Sequence, residues 1–127
     1  MKQEKPLLEC GIKMYHIDRE DDAGVYTVFS ALARERVFLP VNRDGNMVSL
    51  STDMGNVIAV FSSPDRLGDE EGIELREVYL RDYIDGIMRS GMHILINPFS
   101  PEDCQFIVPN AALEKMLLPL IQRKEDL

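Results

Sequence analysis

Val57-Ile58-Ala59-Val60-Phe61 is apolar at every position, and His93-Ile94-Leu95-Ile96-Asn97 is apolar through its middle. An alternating strand keeps one wet face. A run without a polar break is covered on both faces, at least in part, and belongs inside a sheet. The two runs are therefore expected side by side beneath helices, and their placement decides the fold. Around the first, Asp53-Met54-Gly55-Asn56 is a turn. Behind it, Ser63-Pro64-Asp65-Arg66 reads as a short helix start, with Ser capping and Pro in the first turn. Pro98 ends the second run.

Upstream, Val37-Phe38-Leu39-Pro40-Val41 and Met47-Val48-Ser49-Leu50-Ser51 flank Asn42-Arg43-Asp44-Gly45-Asn46. A two-residue Asp44-Gly45 turn accepts positive φ at both central positions and matches the twist of its strands. It pairs Val41 with Val48 and Leu39 with Leu50 on one face, leaving Phe38, Pro40 and Ser49 on the other. Pro40 has no N–H, which places its strand at an edge or a bulge. Residues 73–79 can form a further short strand. So can Cys104-Gln105-Phe106-Ile107-Val108, after a turn at Ser100-Pro101-Glu102-Asp103.

Helical spacing fills the gaps. Val25, Val28, Phe29 and Leu32 stand at i, i+3, i+4 and i+7 behind the acidic run Glu20-Asp21-Asp22, whose charge suits a helix N-terminus. Leu80, Tyr83, Ile84, Ile87 and Met88 make a second stripe, stopped at Ser90-Gly91. Asn110 can cap a last helix that carries Leu113, Met116 and Leu117 inward, and Pro119 should end or kink it. Residues 6–18 fit a helix loosely, with Gly11 against that reading. The order of elements gives an α+β single domain over residues 1–127. Its mixed or largely antiparallel sheet has about five to six strands packed with helices. Residues 1–20 are an uncertain N-terminal segment of it, and 122–127 a charged tail expected to fray.

Composition narrows the function. The 127 residues are 45% hydrophobic and 28% charged, enough apolar content for a core without disulfide or metal. With 14 Lys+Arg against 22 Asp+Glu the net charge is -8, and no basic cluster is present to neutralise phosphates, so nucleic acid is not an expected partner. The longest apolar runs fall far short of the roughly 20 residues of a membrane span. The start has no apolar stretch of signal-peptide length. A cytoplasmic chain with Cys10 and Cys104 as free thiols is expected.

Several of these landmarks, in order and spacing, resemble the N-terminal domain of the SseB family, the "enhanced serine sensitivity" proteins of bacteria. They are Val37-Phe38-Leu39-Pro40-Val41; Val57-Ile58-Ala59-Val60-Phe61-Ser62-Ser63 with Asp65-Arg66-Leu67; and Ile94-Leu95-Ile96-Asn97-Pro98-Phe99-Ser100, followed by a strand and an amphipathic helix. The resemblance covers roughly residues 22–121. It implies a bacterial cytoplasmic α+β domain and brings no catalytic residues and no cofactor with it.

The reactive side chains form no recognised motif. Cys10, His16, His93 and Cys104 are the soft metal ligands besides methionine, and their spacing enforces no zinc geometry. Asp18, Glu20 and Asp22 open like a calcium loop, but Ala23 and Phe29 stand where that loop needs Gly and Glu. No G-x-S-x-G elbow, G-x-G-x-x-G or P-loop occurs, and nothing local joins Cys104 to His16 or His93 as nucleophile and base. No metal and no cofactor are expected. Asn97 closes a central strand, where ligands approach α/β sheets, so Asn97, Phe99 and Ser100 are the candidate ligand contacts. Against that stands a structural role, with the Asn amide satisfying loop backbone. Gly68-Asp69-Glu70-Glu71-Gly72 is an acidic loop, either solvated or a landing surface for a basic partner. The expectation is a non-catalytic interaction module, pairing with itself as a homodimer or with another protein through open sheet edges. The alternative is a small-molecule domain or minor enzyme, its ligand amino-acid-related, with a pocket at Asn97–Ser100.

Overall fold

The computed structural model describes residues 7–53, 55–68 and 72–125. Its elements are α1 (Leu7–Ile17), α2 (Ala23–Arg34), β1 (Arg36–Val41), β2 (Ser49–Thr52), β3 (Gly55–Val60), β4 (Glu74–Tyr79), α3 (Ile84–Ser90), β5 (His93–Ile96), β6 (Phe106–Val108), α4 (Asn110–Ala112) and α5 (Leu118–Glu125). Single 3-10 turns occupy Pro64–Leu67, Leu80–Asp82 and Glu102–Cys104, and a π-helical turn, Leu113–Leu117, joins α4 to α5. Most of the acidic loop (69–71), the first six residues and the tip of the tail lie outside the described residues.

The two apolar runs lie side by side. β3 and β5 are parallel neighbours, with Ala59 opposite Leu95, inside a sheet ordered β2-β3-β5-β6 whose other pairings are antiparallel. Parallel pairing follows because the β3-to-β5 connection is long enough to cross over and carries α3. Ile58, Val60, Ile94, Ile96, Phe106 and Val108 pack on one face against Ile12 of α1, Val28 and Leu32 of α2, Ile87 of α3, and Leu113 and Leu117. On the other face Val57, Ala59 and Phe61 are buried too, whereas His93 and Leu95 of β5 are only half covered. That half-open stretch of β5 matters below.

The hairpin differs from its sequence reading. Asn42 N–H donates to the Asn46 carbonyl at 2.9 Å, and the Asn42 side chain accepts the Asp44 and Asn46 N–H groups. The turn is therefore longer than two residues, and Val41 bridges Met47 rather than Val48. Leu39 pairs with Arg76 of β4, and Leu50 pairs with Val57 of β3. The reason is Pro40. Its carbonyl accepts Val48 N–H at 3.0 Å but it has no N–H to return, so the ladder stops there. Phe38, on the same edge, exchanges both backbone hydrogen bonds with Phe61 (2.9 and 2.8 Å), tying the β1–β4 ribbon to the end of β3.

Residues 7–17 are helical, and Gly11 is why α1 can lie on α2. A Cβ at Gly11 would stand 2.8 Å from Val28 N, and one at Gly24 would stand 2.7 Å from Tyr15 Cα. Two glycines on facing helices let the backbones touch, which offsets their weak helix propensity. The acidic run does stand at the start of α2, and two capping expectations, at Ser63 and Asn110, are revised. Asp22 is the N-cap of α2 without a side-chain bond, and Asp21 Oδ1 instead accepts Ala23 N–H at 2.9 Å. Ser63 makes no side-chain cap on its single 3-10 turn. Asn110 does not cap its own helix: its Nδ2 donates to the Ile87 and Met92 carbonyls, tying the start of α4 to α3 and to the residue that precedes β5. Pro119 neither ends the last helix nor breaks it. The π turn, in which Leu118 N–H bonds Leu113 O, takes up an extra residue just before the proline. That offset buries Leu113 and Leu117 and turns Met116 outward, 44% exposed, where an inward position was expected.

Candidate functional site

The ends of β3 and β5 close on a polar clamp. Asn97 has φ +57°, a left-handed conformation that Asn tolerates better than most residues, and is fully buried. Its N–H donates to Val60 O at 2.8 Å, and its Oδ1 accepts Ser62 N–H at 3.0 Å. Its Nδ2 donates to Ser62 Oγ at 3.0 Å and to Cys104 O at 3.1 Å, using both hydrogens. Ser62 Oγ in turn donates to Glu9 Oε1 at 2.9 Å, and the same oxygen accepts Arg66 Nε at 3.0 Å. The Glu9 carboxylate, and secondarily the Cys104 sulfur, hold the Arg66 guanidinium above its ordinary pKa against the opposing effect of burial. Among the described residues no buried side-chain polar atom lacks a partner.

The expected ligand contacts thus fall as follows. Asn97 spends its whole amide on the protein. Phe99 is 44% exposed with its ring 6.0 Å from that of Phe61. Ser100 gives its N–H to Asn97 O and its carbonyl to Gln105 Nε2, at 3.1 and 2.7 Å. The three share a loop, and Gln105 knits that loop together by also reaching Pro98 O.

On the far side of Gln105 is a cleft of about 210 Å³, lined by Tyr15, His16, Arg19, Leu95, Glu102, Gln105, Phe106 and Ile107. Its floor is the half-covered part of β5 with the neighbouring β6. His16 Nε2 lies 2.7 Å from Gln105 O, which only accepts, so the Nε2–H tautomer is set and Nδ1 is left to accept from Arg19 Nη2 at 3.2 Å. The Arg19 guanidinium also lies over the Tyr15 ring, 5.3 Å from its centroid. Sequence reading treated His16 only as a metal ligand or base and passed over Arg19 and Gln105. The usable signal was the four-residue step from Tyr15 to Arg19, which stacks the two side chains at the end of a helix.

A second concavity, about 350 Å³, runs between α2 and the last helix, lined by Asp22, Val25, Tyr26, Phe29, Met116 and Leu120. Tyr26 is 61% exposed over it. Its lining is apolar apart from Asp22 and the Tyr26 hydroxyl. Cleft and groove are linked by rings: Phe106 stands edge-on to Tyr15 at 5.0 Å and to Phe29 at 6.5 Å. Among the described residues no group of three or more His, Cys, Asp or Glu side chains is placed to hold a metal, and no helix is long and apolar enough to cross a membrane. Cys10 and Cys104 are free and half-buried.

A mixed four-stranded sheet with a two-stranded ribbon bridged to it, helices over one face and a self-satisfied clamp at the strand ends, defines a small α+β domain of the kind the sequence order implied. The family is shown by direct comparison: the model of the SseB protein N-terminal domain matches residues 16–112, and the chain belongs to that family. The match spans β1 through β6 and ends at α4, before the π turn and α5. No curated protein and no solved structure matches the chain.

Proposed function

We infer that the chain is a non-catalytic, cytoplasmic interaction module, and that its docking surface is the groove between α2 and α5. The observation that carries this is the exposed apolar lining, where Tyr26 and Met116 stand over Phe29 beside Val25 and Leu120. Tyrosine and methionine are the side chains enriched at interface centres. The sheet edges are poorer candidates. β4 carries Glu74, Arg76 and Glu77, and β6 is three residues long with Pro109 behind it, devices that blunt strand addition.

The occupant we assign is an amphipathic helix with basic flanks from another protein. Asp22 sits at the lip, next to exposed Asp18, Glu20 and Asp21 in the α1–α2 turn. A second copy meeting this groove about a two-fold axis would bring two such acidic turns together on a chain of net charge -8. A cationic partner meets attraction instead. The alternative, a ligand held by Asn97, Phe99 and Ser100, has less support because the Asn97 amide is fully committed.

The test titrates the isotope-labelled chain with a synthetic Leu/Lys amphipathic helix and with its Leu/Glu counterpart. Saturable shifts at Val25, Tyr26, Phe29 and Leu120 are expected with the first peptide only. Met116→Asp should abolish them, even though it adds negative charge. Binding that survives or strengthens in Met116→Asp would be surface electrostatics and would overturn the assignment. So would a concentration-dependent dimer, seen by sedimentation, that Met116→Asp disperses.

A further inference from the structure

The cleft beside β5 holds two opposite charges that form no ion pair. Among the described residues the ion pairs are Arg36–Glu77 and Arg66–Glu9, so neither Arg19 nor Glu102 has an oppositely charged side chain as its partner. Both line the same cleft. Arg19 is nonetheless held in place: Tyr15 supports its guanidinium from below, and His16 Nδ1 takes one of its hydrogens. A guanidinium has five donors in a fixed fork, so a bidentate carboxylate site stays open on it. His16 is itself fixed by Gln105 O, which sits on the loop that the buried Asn97 clamp braces. The apolar part of the lining, Leu95, Ile107 and Phe106, lies on adjacent strands rather than on mobile loops.

We propose that this cleft binds a small zwitterion with an apolar body. Its carboxylate pairs with Arg19, its protonated amine pairs with Glu102, and its side chain lies on Leu95 and Ile107. The volume, about 210 Å³, lies below the range of roughly 300–1,000 Å³ typical of drug-sized ligands, which restricts the occupant to a small molecule. Opposite charges on one cleft favour a molecule that carries both, because a molecule with a single charge gains one ion pair where a zwitterion gains two. A dianion is disfavoured by repulsion from Glu102. This inference is independent of the α2–α5 groove and of its partner.

The experiment uses the full chain and four probes: phenylalanine, 3-phenylpropionate, phenethylamine and glycine. Amide and side-chain shifts at His16, Arg19, Leu95, Gln105 and Ile107 report occupancy. Phenylalanine should saturate them at millimolar concentration, and each of the other three should bind about tenfold more weakly. Arg19→Ala should weaken phenylalanine about tenfold and leave phenethylamine unchanged; Glu102→Gln should weaken phenylalanine and leave 3-phenylpropionate equal or tighter. Neither variant removes a buried contact, so both should fold. Absence of saturable shifts with all four probes overturns the proposal. So does equal binding of the four, or binding indifferent to Arg19→Ala.

Discussion

The groove and the cleft lie on opposite sides of one phenylalanine and offer different things to a binder. The groove is area: Val25, Phe29, Met116 and Leu120 supply apolar surface, and charge enters only at its lip with Asp22. The cleft is address: less room, but an oriented cation and an anion that form no ion pair. Apolar burial is non-directional and scales with area, so the groove suits a helix that can slide into register. Two opposite charges at fixed places reward a ligand whose own charges match them both, so the cleft is proposed to take a small molecule. On the two proposals above, one domain separates affinity from discrimination.

Substitutions can break that contrast or sharpen it. The largest effect is expected from Gly24→Val, which drives a side chain into the Tyr15 backbone. A loss of about 3 kcal/mol or more in urea unfolding should follow, and both regions should fail together, since α1 walls the cleft, α2 walls the groove, and Gly24 is where the two helices meet. Next is Asn97→Ala, which strands Ser62 N–H and Cys104 O and keeps the unfavourable φ; a loss of about 2–3 kcal/mol is expected. Asn97→Gly should recover part of it by accepting that backbone angle. In the folded population of either variant the cleft should weaken, because its rim hangs from this clamp, while peptide binding in the groove stays within about twofold.

Smaller changes separate the regions more cleanly. Met116→Asp should alter stability by no more than about 0.5 kcal/mol, because the side chain is already half in water. It should nonetheless cost the basic peptide tenfold or more, about 1.4 kcal/mol, with phenylalanine binding intact by calorimetry. The smallest effect is that of salt. Raising ionic strength shrinks the Debye length from about 10 Å at 0.1 M toward 3 Å at 1 M, and should weaken the cationic peptide a few-fold. The zwitterion, neutral overall, should respond less. An equal response would mean that the cleft reads only one of the ligand's two charges.

The centre of this fold was legible because burial on both faces leaves a local mark. Val57–Phe61 and the run centred on Leu95 have no polar break, and they pair as that pattern implies. What was not legible depends on residues far away in sequence. Gly11 looks like a defect in a helix until Val28 is known to lie against it. The register at Val41 turns on what Pro40 cannot donate and on Phe61, twenty residues later, taking the Phe38 groups. Met116 faces outward because a π turn shifts the helix by a fraction of a turn, and nothing in Leu113–Leu117 announces one. Asn97 was singled out by sequence, but its partners come from two other segments. The cleft is assembled from the end of α1, from β5 and from the stretch between Glu102 and Ile107. No single window of the chain contains enough of it to be noticed.

Phe106 is only 7% exposed and touches a ring on each side of it. It works as a party wall. Tyr15 belongs to the lining of the cleft and Phe29 to that of the groove. On the two proposals above, the same ring stands behind both surfaces, so a substitution at Phe106 is the one change expected to be felt in each.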